Sequence, residues 1–128
     1  MPKGSLCVCQ SGRLFSKCCQ PFIDGSLAAD SALALMRSRY TAYSLGHFDY
    51  LKATCAEDAL ILFDADEPTV PLNGVRLDIL STEEYKDWAT IEFTAYYHKK
   101  GSIYYHHETS TFKRIYGKWF YVSARIME

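Results

Sequence analysis

The sequence lacks any apolar run that approaches the roughly 20 residues needed to cross a bilayer. It also lacks the apolar stretch of a signal peptide, because Lys3, Gln10 and Arg13 interrupt the first residues. The net charge of −1 is too small to indicate a broad nucleic-acid-binding surface. We therefore expect a cytoplasmic protein that neither inserts into a membrane nor has nucleic acid as its main partner.

Catalytic patterns are missing as well. The sequence shows no nucleophile–base spacing, no glycine-rich phosphate loop and no acid pair of the glycosidase kind. We predict no catalytic residue, and the sequence does not favour an enzyme. Only Cys55 supplies a thiol outside the first 19 residues, and we interpret it as a small buried hydrophobic residue.

The basic residues of the N-terminal segment have no acidic counterparts there. Lys3, Arg13 and Lys17 lie within residues 1–20, which contain no aspartate or glutamate. The 128-residue chain as a whole has a globular composition, with 48% hydrophobic and 23% charged residues, and its length fits one domain with a small appendage. The remaining residues include 11 basic and 15 acidic side chains, so the body of the chain is acidic. A basic appendage on an acidic body predicts that these three side chains contact an anionic partner.

The segment CVCQSGRLFSKCC, residues 7–19, contains four of the five cysteines: Cys7, Cys9, Cys18 and Cys19. Zinc takes four such ligands in a tetrahedron, and the Ser11-Gly12 turn signal lets the backbone fold back so that both cysteine pairs reach one ion. Two disulfides across one tight loop are the alternative, but a reducing cytoplasm favours metal. Four thiolates leave no place for water, so we predict a structural Zn²⁺.

This segment resembles the SEC-C motif, a zinc knuckle of the form Cys-Pro-Cys-Gly-Ser-Gly-x5-Cys-Cys. Val8 stands in place of the proline, and Gln10 stands in place of the glycine that follows the second cysteine. The four ligand positions and Ser11-Gly12 match the motif. In SecA such a knuckle recognises the chaperone SecB and ribosomes. The resemblance thus implies an adaptor with a protein partner, SecB-like or ribosomal by analogy, and says nothing of the oligomeric state.

Beyond the knuckle, the pattern changes from helices to strands. Apolar residues at steps of three and four predict a helix that begins at Asp30, with Asp30 or Ser31 as its N-cap and Gly46 as its C-terminal stop. Shorter helices are expected over residues 49–54 and 57–63. After Asn73-Gly74 the period becomes two, which indicates four antiparallel strands with hairpin turns at Lys99-Lys100-Gly101 and Tyr116-Gly117. The fold class is therefore α+β.

Two stretches resemble the YchJ family of bacterial proteins, for which no activity is established: LMRSRYTAYSLGHFDYLKAT, residues 35–54, and HETSTF, residues 107–112. Where the family's His-Pro is expected, this sequence has Cys55-Ala56. The resemblance implies a SEC-C zinc knuckle over residues 1–23. It also implies a cone like nuclear transport factor 2 over residues 24–128, with helices packed on a curved antiparallel sheet of four or more strands.

A cone of this kind usually encloses a cavity, and strand parity indicates which residues face it. Glu108 and Ser110 share a face with Phe112, so they point inward if Phe112 is in the core. We expect Arg37 to pair with Glu108, with Tyr40 as a hydrogen-bond donor. The pair either fastens helix to sheet, which we favour, or marks a small-molecule or enzymatic site, which requires a cavity of roughly 300 Å³ or more.

His106, His107 and Glu108 are metal-ligating residue types close together in the sequence, which raises the question of a second metal site. Neighbouring residues on a strand point to opposite faces, so the two imidazoles do not share an ion. We therefore reject a metal site there.

Overall fold

Helices precede strands in this chain, as the sequence predicts. The computed structural model describes residues 5–56 and 73–126. A short 3₁₀ helix and three α-helices lead into four strands: Phe15–Lys17, α1 Gln20–Ile23, α2 Ala32–Leu45, α3 Phe48–Ala53, β1 Gly74–Tyr85, β2 Trp88–Lys99, β3 Ser102–Ile115 and β4 Lys118–Ile126. The helix expected over residues 57–63 lies outside the described residues.

The ends of α2 follow from its capping residues. Ser31 is the N-cap, and its hydroxyl accepts a hydrogen bond of 3.1 Å from the backbone N–H of Ala34. Gly46 ends the helix in the left-handed conformation, at φ 88°, which glycine adopts without a steric penalty. Both predicted end signals are confirmed.

The strands form one antiparallel meander in the order β1-β2-β3-β4. Positive φ angles at Lys100 and Gly101, and again at Tyr116 and Gly117, identify the tight turns that join β2 to β3 and β3 to β4. The α+β class with a four-stranded sheet is confirmed. A third hairpin turn, at Lys86-Asp87, joins β1 to β2 and was not predicted.

The inner face of the sheet packs against α2. Alternate residues of β2 are buried, as period-two patterning requires: Ala89, Ile91, Phe93 and Ala95. They share one core cluster with Met36 and Tyr40 of α2 and with Phe112 of β3. This packing fixes α2 over the middle of the sheet and places its side chains opposite β3.

The knuckle packs onto the same helix. All four of its cysteines belong to the core cluster that contains Leu35, Met36 and Tyr40. On another side, Ser38 and Arg39 of α2 contact α3 through hydrogen bonds with Tyr50 and Leu51. Helix α2 is thus covered by sheet, knuckle and α3. The domain division after residue 23 stays a prediction.

None of the helices in the described ranges is long and apolar enough to span a membrane.

Candidate metal centre and cone cavity

Backbone hydrogen bonds shape the loop that carries the cysteines. The N–H of Cys7 donates to the carbonyl of Arg13 at 2.8 Å, and the N–H of Phe15 donates to that of Ser5 at 2.9 Å, which closes a small antiparallel bridge. The 3₁₀ turn that follows, in which Cys18 N–H donates to the Phe15 carbonyl at 3.1 Å, turns the chain back toward the first cysteine pair.

The four thiols converge on one buried point. Their Sγ atoms all lie within 4.8 Å of one another, with 3.6 Å between Cys9 and Cys18 and 3.9 Å between Cys18 and Cys19. A tetrahedron with metal–sulfur bonds of about 2.3 Å has edges of about 3.8 Å, whereas a disulfide has a length of about 2.05 Å. All four thiols are free. The cluster could therefore hold a metal ion, and its donor set fits a thiolate-binding metal.

The thiols are too close together to carry four negative charges by themselves. Hydrogen bonds with Cys19 and Cys7 lower the pKa of Cys9, while hydrogen bonds with Cys7 and Cys9 raise the pKa of Cys19. Burial raises the pKa of Cys18 to about 11. Full ionisation of the cluster thus requires a cation at its centre, which a metal supplies.

Helix α2 contributes the outer contacts of this centre. The Thr41 hydroxyl donates to Cys19 Sγ at 3.3 Å and lies 3.6 Å from Cys7 Sγ. Arg37 Nη1 donates to the backbone carbonyl of Cys9. Because residues 37 and 41 are one turn apart, a single face of α2 holds both ends of the cluster.

The structure explains why the loop accepts Gln10 where the usual motif has glycine. Its φ of 68° is left-handed, a conformation that glycine adopts freely and other residues adopt at a cost of roughly 1–2 kcal/mol. Its side-chain Nε2 donates to the carbonyls of Val8 at 3.3 Å and Val75 at 3.5 Å. These bonds connect the loop to β1, so the glutamine adds a contact that glycine lacks.

A cavity of about 80 Å³ lies between α2 and the sheet. Its walls are formed by α2, β2, β3 and β4, and the charged and small polar groups among them are Arg39, Glu108 and Ser110. The volume is several times what one ordered water needs but well below the roughly 300 Å³ of a drug-sized site. The cavity is therefore smaller than the small-molecule alternative requires, although polar groups do converge here.

The predicted Arg37–Glu108 pair is also wrong. Arg37 faces the knuckle, and the arginine that lines the cavity is Arg39. The prediction assumed that α2 buries a single stripe, whereas the helix is covered on several sides. A signal was present: Met36, Arg39, Tyr40 and Tyr43 are spaced at three and four residues and line the cavity together.

Glu108 finds its partners on its own strand. His106 Nε2 lies 2.5 Å from Glu108 Oε1, and the Ser110 hydroxyl donates to Oε2 at 3.0 Å. The hydrogen bond with Glu108 raises the pKa of His106. His107 instead pairs with Glu92, so the two histidines do point apart. Within the described ranges, the cysteines form the only group suited to a metal.

Tyrosines surround the cavity and remain protonated at neutral pH. Burial raises the pKa of Tyr40 to about 12 and that of Tyr121 to about 12, and it raises the pKa of Tyr43 and Tyr97 as well. The Tyr40 hydroxyl does not reach Glu108. It donates to the carbonyls of Arg76 at 2.9 Å and Tyr96 at 3.1 Å, where it holds an irregular part of the β1–β2 pairing.

The predicted partner-binding residues lie on the knuckle surface where the structure describes them. Arg13 and Lys17 are exposed, and Lys3 lies outside the described residues. Two exposed leucines, which sequence reasoning missed, accompany them. Leu6 is 63% exposed and Leu14 is 37% exposed, and they face each other across the small bridge.

Fold and cysteine cluster together define the class, an NTF2-like α+β domain with an N-terminal SEC-C motif. The family model described as "YchJ, middle NTF2-like domain" matches residues 31–124, and the SEC-C motif matches residues 5–21. A UPF0225 protein of Geobacter sulfurreducens is 34% identical, with 94% of this chain and 78% of that protein covered. One from Deinococcus radiodurans is 35% identical, with 92% and 87% covered. The chain therefore belongs to the YchJ-like UPF0225 family.

Solved structures agree with this assignment. The solution structure of a SEC-C motif containing protein from Rhodopseudomonas palustris is similar at a TM-score of 0.82 and 34% identity, over 95% of this chain and 98% of that one. A crystal structure of a SEC-C motif containing protein from Psychrobacter arcticus is similar at a TM-score of 0.75 and 27% identity, over 95% and 82%.

Proposed function

We propose that this protein is a cytoplasmic interaction module whose knuckle, held by a structural Zn²⁺, docks an acidic segment of a protein partner. The observation that carries this proposal is the knuckle surface: exposed Leu6 and Leu14 lie side by side, and exposed Arg13 and Lys17 belong to the same loop. Apolar side chains on an anchored surface favour contact with another protein, and the basic residues select an acidic one.

The choice of zinc rests on the donor set. Four thiolates at the spacing of a tetrahedron suit Zn²⁺, and a closed shell leaves no coordination position for a substrate. The metal would fix the loop that carries Leu14 and Arg13 onto α2 through Cys9 and Cys19. A thiolate site of this kind is compatible with the reducing cytoplasm.

Metal content is tested on protein purified without chelator. Elemental analysis is expected to give about one zinc per chain, and Cys9→Ser is expected to lose most of it because a thiolate ligand is removed. A zinc content well under one per chain, or a different metal at full occupancy, contradicts the proposed site.

The docking surface is tested by charge reversal. In affinity capture from cell extract, Arg13→Glu/Lys17→Glu is expected to abolish a partner that the native chain retains, with zinc content unchanged. The matched control is Lys99→Glu/Lys100→Glu, which makes the same charge change at the exposed β2–β3 turn and is expected to keep the partner. If the Arg13→Glu/Lys17→Glu variant still captures the partner, or if both variants lose it equally, the partner does not dock on the basic surface of the knuckle.

A further inference from the structure

A buried guanidinium borders the cone cavity. Arg39 is only 5% exposed, and its Nη1 donates to the Leu51 carbonyl at 2.8 Å and the Thr54 hydroxyl at 2.7 Å, with Cys55 Sγ at 3.7 Å. Within the part of the chain that the structure describes, Nε and Nη2 make no hydrogen bond of comparable geometry, although the Tyr43 hydroxyl accepts a weaker one from the Arg39 side chain. Every fully buried side-chain nitrogen or oxygen of the described residues has a hydrogen-bond partner. Nε and Nη2 are therefore not fully enclosed by protein, and Arg39 lines the cavity.

The charge of Arg39 is incompletely compensated. Across the described residues, no carboxylate lies within 4.0 Å of it. The ring of Tyr121, 4.5 Å from the guanidinium carbon, supplies only a cation–π contact. A buried cation without an anion is costly. Glu108 lines the same cavity, but its oxygens are held by His106 and Ser110.

The other walls of the cavity are of two kinds. Tyr43 and Tyr97 also line the cavity and burial raises their pKa, so their protonated hydroxyls can donate to an anion. Met36, Phe93 and Phe112 form an apolar wall. With a volume of about 80 Å³, the cavity suits a ligand of a few heavy atoms that has one anionic end and a short apolar end.

We propose that the cavity binds a small aliphatic monocarboxylate, with its carboxylate on the Nε–Nη2 edge of Arg39 and its alkyl end against Met36, Phe93 and Phe112. The planar fork of a guanidinium matches a carboxylate with two parallel hydrogen bonds, and burial strengthens them. This site lies on the sheet side of α2, whereas Arg37 and Thr41 face the knuckle, so it is independent of the proposed docking function.

The test uses the zinc-loaded full chain, labelled with ¹⁵N and titrated with sodium acetate against sodium chloride at constant ionic strength. Acetate is expected to cause saturable shifts in the Arg39 Nε–Hε signal and in the amides of the cavity strands, whereas chloride causes none. Across formate, acetate, propionate, butyrate and hexanoate, affinity is expected to peak at two to four carbons and to be lost at hexanoate. Shifts that do not saturate, that chloride reproduces, or that phosphate alone produces overturn the proposal.

Substitution of Arg39 itself would disturb the fold, because Arg39 also holds α3 through the Leu51 carbonyl. The second test therefore changes the charge of Glu108 instead. Glu108→Gln keeps the shape of the side chain but removes the negative charge, so acetate is expected to bind about threefold tighter or more. Glu92→Gln removes the same charge on the partner of His107 and is expected to leave the affinity unchanged. An unchanged or weaker affinity in Glu108→Gln overturns the proposal.

Discussion

Thr41 is a side chain of α2 whose hydroxyl lies against the cysteine sulfurs. Its hydroxyl lies within 3.6 Å of two thiol sulfurs, those of Cys7 and Cys19, and it also donates to the Arg37 carbonyl at 3.1 Å. Hydrogen bonds to thiolates stabilise their charge and orient them around a metal. A helix residue outside the motif thereby contacts the cysteine cluster directly.

Thr41→Val removes this hydroxyl while keeping the shape of the side chain. Loss of a hydrogen bond to a ligand typically costs 10–100-fold in metal affinity, so we expect zinc affinity to fall by about tenfold. Competition with a chromophoric chelator measures the change. Thr109→Val, on β3, is the control and is expected to bind zinc as the native chain does. Equal zinc affinity in Thr41→Val and in the native chain would contradict the proposal that the Thr41 hydroxyl supports the metal-binding cysteines.

At the same scale, the His106–Glu108 pair makes a prediction about pH. Because Glu108 raises the pKa of His106, the pair stabilises the fold below the unfolded pKa of about 6.5 and loses this effect as pH rises through the folded value. NMR titration is expected to show His106 titrating above its ordinary value in the native chain and near it in Glu108→Gln. Glu92→Gln, which alters only the partner of His107, is expected to leave the His106 titration unchanged.

The stability difference between the native chain and Glu108→Gln should be larger at pH 6 than at pH 8. The effect is small because the His106 side chain is 40% exposed and therefore partly screened by solvent. A His106 pKa that does not respond to Glu108→Gln contradicts the pairing.

Among the elements, β1 begins at Gly74, whose backbone lies against the Tyr40 and Ser44 side chains of α2. A Cβ added at Gly74 would lie 2.7 Å from Cζ of Tyr40 and would clash with its hydroxyl and with the Ser44 hydroxyl. Tyr40 is fully buried and is held by the backbone of Arg76 and Tyr96, so it does not move aside easily. Glycine is therefore required here by close approach.

Gly74→Ala is expected to destabilise the fold by about 1–3 kcal/mol, the usual cost of overpacking. Denaturant unfolding followed by circular dichroism measures the change. Val75→Ala, at a neighbouring side chain that is 42% exposed, serves as the control and should change stability by less than about 1 kcal/mol. A Gly74→Ala variant as stable as this control would show that helix and strand separate without cost.

For the whole molecule, the shared core predicts that metal binding by the cysteines stabilises the cone. The cysteines pack with Leu35, Met36 and Tyr40 in one cluster, so loosening the knuckle removes contacts from α2. Chelation of the metal is therefore expected to lower the melting temperature of the entire chain. A metal present at a thousandfold excess over its Kd contributes about 4 kcal/mol.

Thermal unfolding followed by far-UV circular dichroism, with and without a zinc chelator, tests this coupling. Acidification is expected to act in the same direction, because metal binding requires thiolates and protons compete for them. Cys9→Ser should melt at the lower temperature whether or not zinc is added. A melting temperature that is insensitive to chelator contradicts coupling between knuckle and cone.

Local patterns in the sequence predicted most of the fold. Period-two alternation and the turn residues indicated four strands and two of their hairpins, and Ser31 and Gly46 marked the ends of α2. The cysteine spacing indicated the cluster because a tight loop is enough to bring the four thiols together. These features depend on residues near one another in the chain, so the sequence carries them directly.

The surroundings of α2 were decided by tertiary structure. A helix that contacts a sheet, a knuckle and α3 buries several faces, so a single apolar stripe does not reveal which arginine faces the sheet. The sequence by itself determined that thiols cluster and that helices precede a meander. Only long-range packing decided that Arg37 faces the cysteines while Arg39, half a turn away, borders the cavity.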